Sequence, residues 1–316
     1  MRSEDGFRVD PAHGGRRLDR LIKTLRPDLP YARIQRLFRE KAVWLNGDPA
    51  SPDRRVRVGD QVRIQAGAGL DTVSANPSIR IEVLHEDEAV LVVGKPAGLA
   101  VLPGKKQRTR TVINGLLDRF GEELRRFGAE GSFGLVHRLD LDTSGALVVA
   151  RTRESREVLL EQFRRREIRK VYHALVAGSP PRQELTIRLP LQRVERRGRS
   201  RMQVAPGGHG MKAVTEYRVL ESLDRASYLE VRPITGRTHQ IRVHLAAVGA
   251  PVLGDPIYGN RSANEDARHR LGLARMFLHA SRIVFTHPES GNQLDIAAPL
   301  PADLDAVLAE LRARVD

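Results

Sequence analysis

Asp140 lies in HRLDLDTSG, residues 137–145, a polar run set between the short apolar runs GLV and ALVVA. Those flanking runs read as strands, which places the carboxylate on a loop between sheet elements, where reactive side chains are commonly presented. A carboxylate in that position can act as nucleophile or general base. The plainer alternative is that Asp140 and Asp142 cap a turn. A second polar cluster, TGRTHQIRVH at residues 235–244, reads as a loop running into a helix. Thr238 is its candidate N-cap, and Ile241, Leu245 and Val248 form an apolar face. Arg242 sits beside that face, from where it could reach inward and offset the desolvation of a buried carboxylate. Between the two clusters, Tyr172 in RKVYHALV reads as a half-buried strand residue alternating with Val171 and His173.

The elements that must position these groups fall into two parts. AGAGLDTVSANPS, residues 66–78, is rich in small and turn-forming residues and reads as a linker. It separates a module at 14–75 from a larger domain at 76–316, with residues 1–13 expected as a flexible tail. The module shows two helical patterns, Leu18 to Leu25 and Tyr31 to Glu40, then a hairpin at Asn46-Gly47 and a strand from Gln61 to Ile64. It carries thirteen Lys/Arg against seven Asp/Glu. Arg33, Arg36 and Arg39 recur on roughly one helix face, either as phosphate contacts or as an ordinary solvated surface. Arg164, Arg165, Arg166, Arg169 and Lys170 follow a helical stretch from Glu154 to Phe163. ERRGRSRM, residues 195–202, reads as a basic mobile loop.

Composition points to a polyanionic partner. The 316 residues hold 53 Lys+Arg and 39 Asp+Glu, a net charge of +14. No apolar run approaches the roughly 20 residues that span a bilayer, and MRSEDGFRVD lacks the apolar core of a signal peptide. No membrane association is therefore expected. With no cysteine there is no disulfide and no thiolate zinc site, and the cytoplasm is the expected compartment. Aromatic residues are only 4% of the chain, too few for a sheet paved with base-stacking rings.

Other groups are given quieter roles. His137, His239, His244, His279 and His287 tempt a metal reading, but His239 and His244 would be about 140° apart on a helix. No metal motif is present, so no metal is expected. Ser144 lacks a nucleophile elbow and reads as satisfying turn backbone. KPAG, Lys95 to Gly98, and Asp255 in GDPIYG read as turn residues, and Arg237 as a phosphate contact. No phosphate loop or dinucleotide fingerprint appears, so no nucleotide cofactor is expected.

HRLDLDTSG, RKVYHALV and TGRTHQIRVH, in this order, resemble the RluA/RluC/RluD family of RNA pseudouridine synthases. IEVLHEDEAVLVVGKPAGLAVLPG from Ile81, GDPIYG and FLHASRIVFTHPESG are similar to the family's opening and closing blocks. Three residues depart from its pattern: Gly94 in place of the usual Asn, Leu102 in place of a common His, and Leu141 where a basic residue is frequent. The resemblance implies an α/β and α+β protein: a pseudouridine synthase fold on a mixed, mainly antiparallel sheet. A small α-L RNA-binding module, similar to ribosomal protein S-four, would precede it.

The implied reaction breaks the bond from the ribose anomeric carbon to a ring nitrogen of uridine, turns the base and rejoins it through ring carbon 5. It needs no cofactor. By resemblance Asp140 is the catalytic aspartate, Tyr172 the active-site tyrosine, Arg242 the ion-pair arginine and Ile241 the apolar residue packed on the base. Arg138 would fill the space left by the extruded nucleotide. The implied partner is RNA, most of all 23S ribosomal RNA or a pre-ribosomal particle, with RluC-type preferred to RluD-type and no protein partner. The competing readings are a transfer-RNA synthase, a non-catalytic RNA-binding or assembly factor, and a carboxylate glycosidase. The last requires two carboxylates facing the substrate.

Overall fold

In the computed structural model, residues 5–26, 29, 31–65, 73–104, 107–127, 132–196 and 199–314 are described. Most of the linker expected over 66–78 therefore lies outside the described residues, as does the tip of the ERRGRSRM segment.

Residues up to Ser74, together with 120–133, form one unit, and 75–119 with 134–316 form the other. In the first, β1 (Asp5–Arg8), α1 (Leu18–Leu25), α2 (Tyr31–Arg39), β2 (Val43–Leu45), β3 (Asp48–Pro49) and β4 (Gln61–Ile64) follow in order. The strands pair in the order β1-β4-β2-β3. Residues 5–8, expected in a flexible tail, are instead an edge strand. Backbone pairing of Phe7 with Val62 explains what composition alone did not signal. Asn46 and Gly47 both take positive φ, as a two-residue hairpin turn with the right twist requires. Leu18, Leu21, Ile22, Ile34 and Leu37 pack on Val43, Val62 and Ile64 to make the core. Asp19, wholly buried, accepts hydrogen bonds from Tyr31 Oη at 2.7 Å and from Arg17, so the two helices are tied by a satisfied charge. In the expected arginine stripe, Arg33 and Arg36 are half-buried, Arg36 donates to Glu40 at 2.6 Å, and Arg39 is exposed.

Among the described residues the main sheet of the second unit has nine strands. They are β5 (Glu82–Glu86), β6 (Val90–Lys95), β7 (Ser144–Ala150), β8 (Arg169–Ala177), β9 (Glu184–Ile187), then beyond the ribbon β10 (Leu191–Arg196) and β11 (Arg199–Val204), β12 (Thr215–Leu223), β13 (Ala226–Pro233), β14 (Leu278–Thr286) and β15 (Gln293–Ala297). The sheet order is β5-β6-β7-β14-β8-β13-β12-β9, with β15 added on β14. Among these pairs β7–β14 is parallel and the rest antiparallel, the mixed, mainly antiparallel sheet that the resemblance implied. β6 and β7 read as unbroken apolar runs because both faces are covered, by α5 (Arg153–Arg165) on one side. The remaining helices are α3 (Val112–Arg119), α4 (Gly121–Arg125, in the first unit), α6 (Gln240–Ala247), α7 (Arg261–Leu271) and α8 (Ala302–Arg312). α7 and α8 pack with Leu175 and Tyr228, on the sheet face opposite Tyr172.

Two local expectations change. GLV at 134–136 forms one isolated bridge, Leu135 to Val149, rather than a strand, since Gly134 is at φ +76 and turns the chain. The described part of ERRGRSRM is strand rather than loop: Leu191–Arg196 pairs with Arg199–Val204, Glu195 opposite Ser200, because the alternation along the two strands places Leu191 and Met202 in a small core.

Gly145 decides how the Asp140 loop joins the sheet. It stands at φ +116 opposite Ala280, and a Cβ there would collide with the Ala280 carbonyl. Gly145→Ala should therefore cost about 3 kcal/mol or more and lower the thermal midpoint by roughly 6–12 °C. A calorimetric midpoint within 2 °C of the parent, on the order of the scatter expected for a neutral surface change, would contradict this account.

Candidate active site

The loop carrying Asp140 is fixed from beneath. Thr143 N–H donates to the Asp140 carbonyl at 3.2 Å, and Gly98 N–H to the Leu141 carbonyl at 3.0 Å. Lys95, only 1% exposed, points its ammonium at three carbonyls: Leu99 at 2.7 Å, Pro96 at 2.8 Å and Leu141 at 2.9 Å. Burial pushes Lys95 down to about 7, against the pull of Asp142 and Asp140. KPAG does turn the chain, as expected, but its lysine also pins the reactive loop. Ser144 hydrogen-bonds His279 Nδ1 at 2.9 Å on β14, not turn backbone as expected, because it already lies in β7. His137 accepts the Val148 N–H at 2.9 Å, and His244 bonds Thr215 and the Leu189 carbonyl.

Arg242 meets Asp140 across 102 residues of chain. Its Nη1 donates to Asp140 Oδ2 at 2.9 Å. The other edge of the guanidinium makes a bidentate pair with Asp255, Nε to Oδ2 at 2.7 Å and Nη2 to Oδ1 at 2.8 Å. Asp255 Oδ1 also accepts the N–H groups of Ile257 and Tyr258, so the turn-forming role expected for it is one of two. Burial alone would raise the Asp255 carboxyl and lower Arg242. Their mutual bonds and charges outweigh that, holding Asp255 below the usual carboxylate range and Arg242 above its ordinary value. Asp255 has no exposed side-chain surface, whereas the Asp140 side chain keeps 25% of its own. One carboxylate is structural and the other faces outward.

His239 caps α6 with φ +54, one residue beyond the expected Thr238, which is exposed. The loop is organised instead by Gln240, whose Oε1 accepts from Thr235 Oγ1 and Arg237 N–H. Residues 240–245 are all buried, so α6 is enclosed rather than amphipathic. His239 Nε2 stands 4.0 Å from Asp140 Oδ2, and its Nδ1 is 2.8 Å from the Tyr258 hydroxyl. The Tyr258 ring also receives the Arg242 guanidinium at 5.0 Å.

Residues 89–247, about half of the chain, match the RNA pseudouridylate synthase family. An uncharacterized RNA pseudouridine synthase of Chloroflexus aurantiacus is 40% identical over 306 residues, 97% of this chain and 93% of that one. Ribosomal large subunit pseudouridine synthase D of Xanthomonas campestris is 37% identical over 310 residues, 96% and 91% of the two chains. The chain belongs to the RNA pseudouridine synthase family. In fold it is similar to human RNA pseudouridylate synthase domain containing 1, with TM-score 0.57 and 30% identity over 72% of this chain and 87% of that one. Proteins of this family are isomerases acting on RNA.

Of the other residues the synthase sequence singled out, Tyr172 is 9% exposed on β8 and within reach of the Asp140 charge. Burial first, and that charge second, raise its phenol above the ordinary value, so it stays protonated. Ile241 is 7% exposed at the start of α6. Arg138 and Arg237 are exposed, and Arg237 Nε donates to the Lys212 carbonyl. Arg33, Arg36 and Arg39 belong to the other unit. Sequence reasoning missed Asp255 as the second partner of Arg242, and with it Lys95 and the His239–Tyr258 pair. For Asp255 the one signal was its place in GDPIYG, which a turn explains equally well. Gly254 gave a further hint: at φ +76 it lets the backbone pass the Arg275 carbonyl.

A carboxyl held below its unfolded pKa contributes stability that is present above about pH 4 and lost as pH falls through the folded value. Asp255→Asn should destabilise the synthase by about 3–5 kcal/mol at neutral pH, since Arg242 loses its buried partner. Its unfolding midpoint should also fall less steeply than the parent's between about pH 5 and pH 3. Parallel pH curves for the two proteins in thermal melts would show that Asp255 does not carry this charge.

Proposed function

We propose that this synthase isomerises uridine to pseudouridine in large-subunit ribosomal RNA, with Asp140 as the reacting carboxylate. One observation carries the catalytic part: the Arg242 guanidinium is already paired on one edge by Asp255 and spends its remaining Nη1 on Asp140. The buried arginine aims the Asp140 carboxylate through its Nη1, while the 25% exposure of that side chain leaves it able to meet an extruded nucleotide. Tyr172 and Ile241 supply flat and apolar surface for the detached uracil. The phenol stays protonated, so it acts as a packing and hydrogen-bonding group rather than as a phenolate base. Arg138, exposed next to Asp140, is free to occupy the gap left in the RNA, and Arg237 to meet phosphate.

The hydrolase reading needs a second acid open to the substrate. Asp255 does not supply one: its oxygens are taken by Arg242 and two turn amides, away from solvent. Asp140→Asn should abolish isomerisation while RNA affinity, set mostly by phosphate contacts, changes no more than a few-fold. Turnover close to the parent's, followed by tritium release from ring carbon 5, would remove Asp140 from the chemistry.

The choice of RNA follows the relatives. Those of Xanthomonas campestris, Neisseria meningitidis and Zymomonas mobilis are named ribosomal large subunit pseudouridine synthase D. We therefore favour D-type specificity over the C-type reading drawn from the motifs. The first unit serves as an RNA-binding module of the S-four kind, with exposed Arg39 as its leading phosphate contact; Arg36 is engaged with Glu40. A module of this sort raises the local concentration of the catalytic unit on a large folded RNA. Pseudouridine mapping of total RNA from cells with and without the gene tests the assignment. Loss at large-subunit sites is expected; loss confined to transfer RNA would replace the substrate and leave the chemistry intact.

A further inference from the structure

We infer that His239 is a specificity-determining residue: its Nε2–H and the Asp140 carboxylate together hold the ribose 2′-hydroxyl of the target uridine. The inference rests on the catalytic reading of Asp140 given above. His239 occupies the left-handed region of backbone space, uncommon outside glycine, and its side chain does not cap α6. Its ring is held by Tyr258, through the 2.8 Å contact at Nδ1 and an edge-on ring contact at 5.5 Å. The Tyr258 oxygen already accepts the Met202 N–H at 3.0 Å. The phenol proton then goes to Nδ1, and the neutral imidazole carries its own proton on Nε2, the atom facing Asp140. Burial keeps the ring neutral by lowering its pKa, with Arg242 acting in the same sense and Asp140 and Asp255 opposing.

Nε2 and Asp140 Oδ2 are 4.0 Å apart, too far for a hydrogen bond to each other. An oxygen about 2.8 Å from both would see them at roughly 90°, so the pair is spaced to share one atom. Both side chains are partly open, at 21% and 25% exposure, so such an atom can arrive from outside. It must accept from an N–H and donate to a carboxylate. A hydroxyl does both; the carbonyl oxygens and N–H of uracil each do one. Inside an RNA chain the 3′ and 5′ oxygens are esterified, which leaves the 2′-hydroxyl, one carbon from the anomeric centre where the bond breaks. It is also the group that separates RNA from DNA.

The test is a two-by-two comparison of kcat/KM: parent and His239→Ala, each on an RNA fragment carrying the mapped target as uridine or as 2′-deoxyuridine, with ribose elsewhere. The parent should lose about tenfold on the deoxy substrate and the variant no more than about twofold. Equal losses in the two enzymes, or no loss in the parent, would overturn the inference. His239→Asn, which tolerates positive φ but is too short to place a donor at the Nε2 position, carries the same expectation if the alanine variant does not fold. Activity of Asp140→Asn on the all-ribose RNA tests the role of Asp140, and the ratio of the two substrates within the parent and within the His239 variant tests His239, so the two readings fail separately.

Discussion

Arg242 is buried with a carboxylate on each side, and this arrangement sets what the rest of the second unit must do. A guanidinium taken out of water is costly unless its donors are met with good geometry, and the fork shape of arginine lets one edge bond Asp255 while the remaining nitrogen bonds Asp140. Asp255 offsets the arginine's charge and fixes its plane. The Asp140 carboxylate accepts one hydrogen bond among the described residues, from Arg242, and keeps an open side. The asymmetry between a closed pair and an open one is what converts a structural ion cluster into a site where chemistry can occur.

Three separate segments deliver those groups, and each is anchored by its own backbone logic. The Asp140 loop runs into β7, which pairs in parallel with β14 at a glycine that admits no side chain. Arg242 rides on α6, whose first six residues are all buried, which fixes the helix in rotation as well as position. Asp255 lies in a turn that its own carboxylate closes by accepting two backbone amides. Lys95 supplies a fourth anchor by gathering three carbonyls, one of them from the reactive loop. Errors in any of these would misplace the acid by a fraction of an ångström to an ångström, a displacement large enough to matter in a site built on orientation.

Tyr258 connects this centre to the β10–β11 ribbon. It accepts from the Met202 backbone, bonds His239 and lies under Arg242. The ribbon's inner residues, Leu191 and Met202, share a small core with Val243 of α6. The ribbon and the buried Arg242 therefore rest on common side chains, which makes them mechanically one piece.

The sequence alone determined the chemistry-bearing segments and their order, because those depend on local residue types, and the family resemblance those motifs carry implied the mixed, mainly antiparallel sheet. It also identified Asp140 and Arg242 as partners, since a desolvated carboxylate needs a cation and TGRTHQIRVH offered one. Tertiary structure decided the rest. That Asp255 is the arginine's main partner follows from a pairing thirteen residues apart that no helix or strand period encodes. GDPIYG reads as a turn whether or not its aspartate faces a guanidinium. Lys95 looked like part of a turn because its carbonyl partners come from the backbone, which carries no sequence signature. The edge strand at residues 5–8 and the paired strands at 191–196 and 199–204 were hidden for a related reason: short polar strands gain their stability from the neighbour they pair with, and pairing is a property of the folded chain.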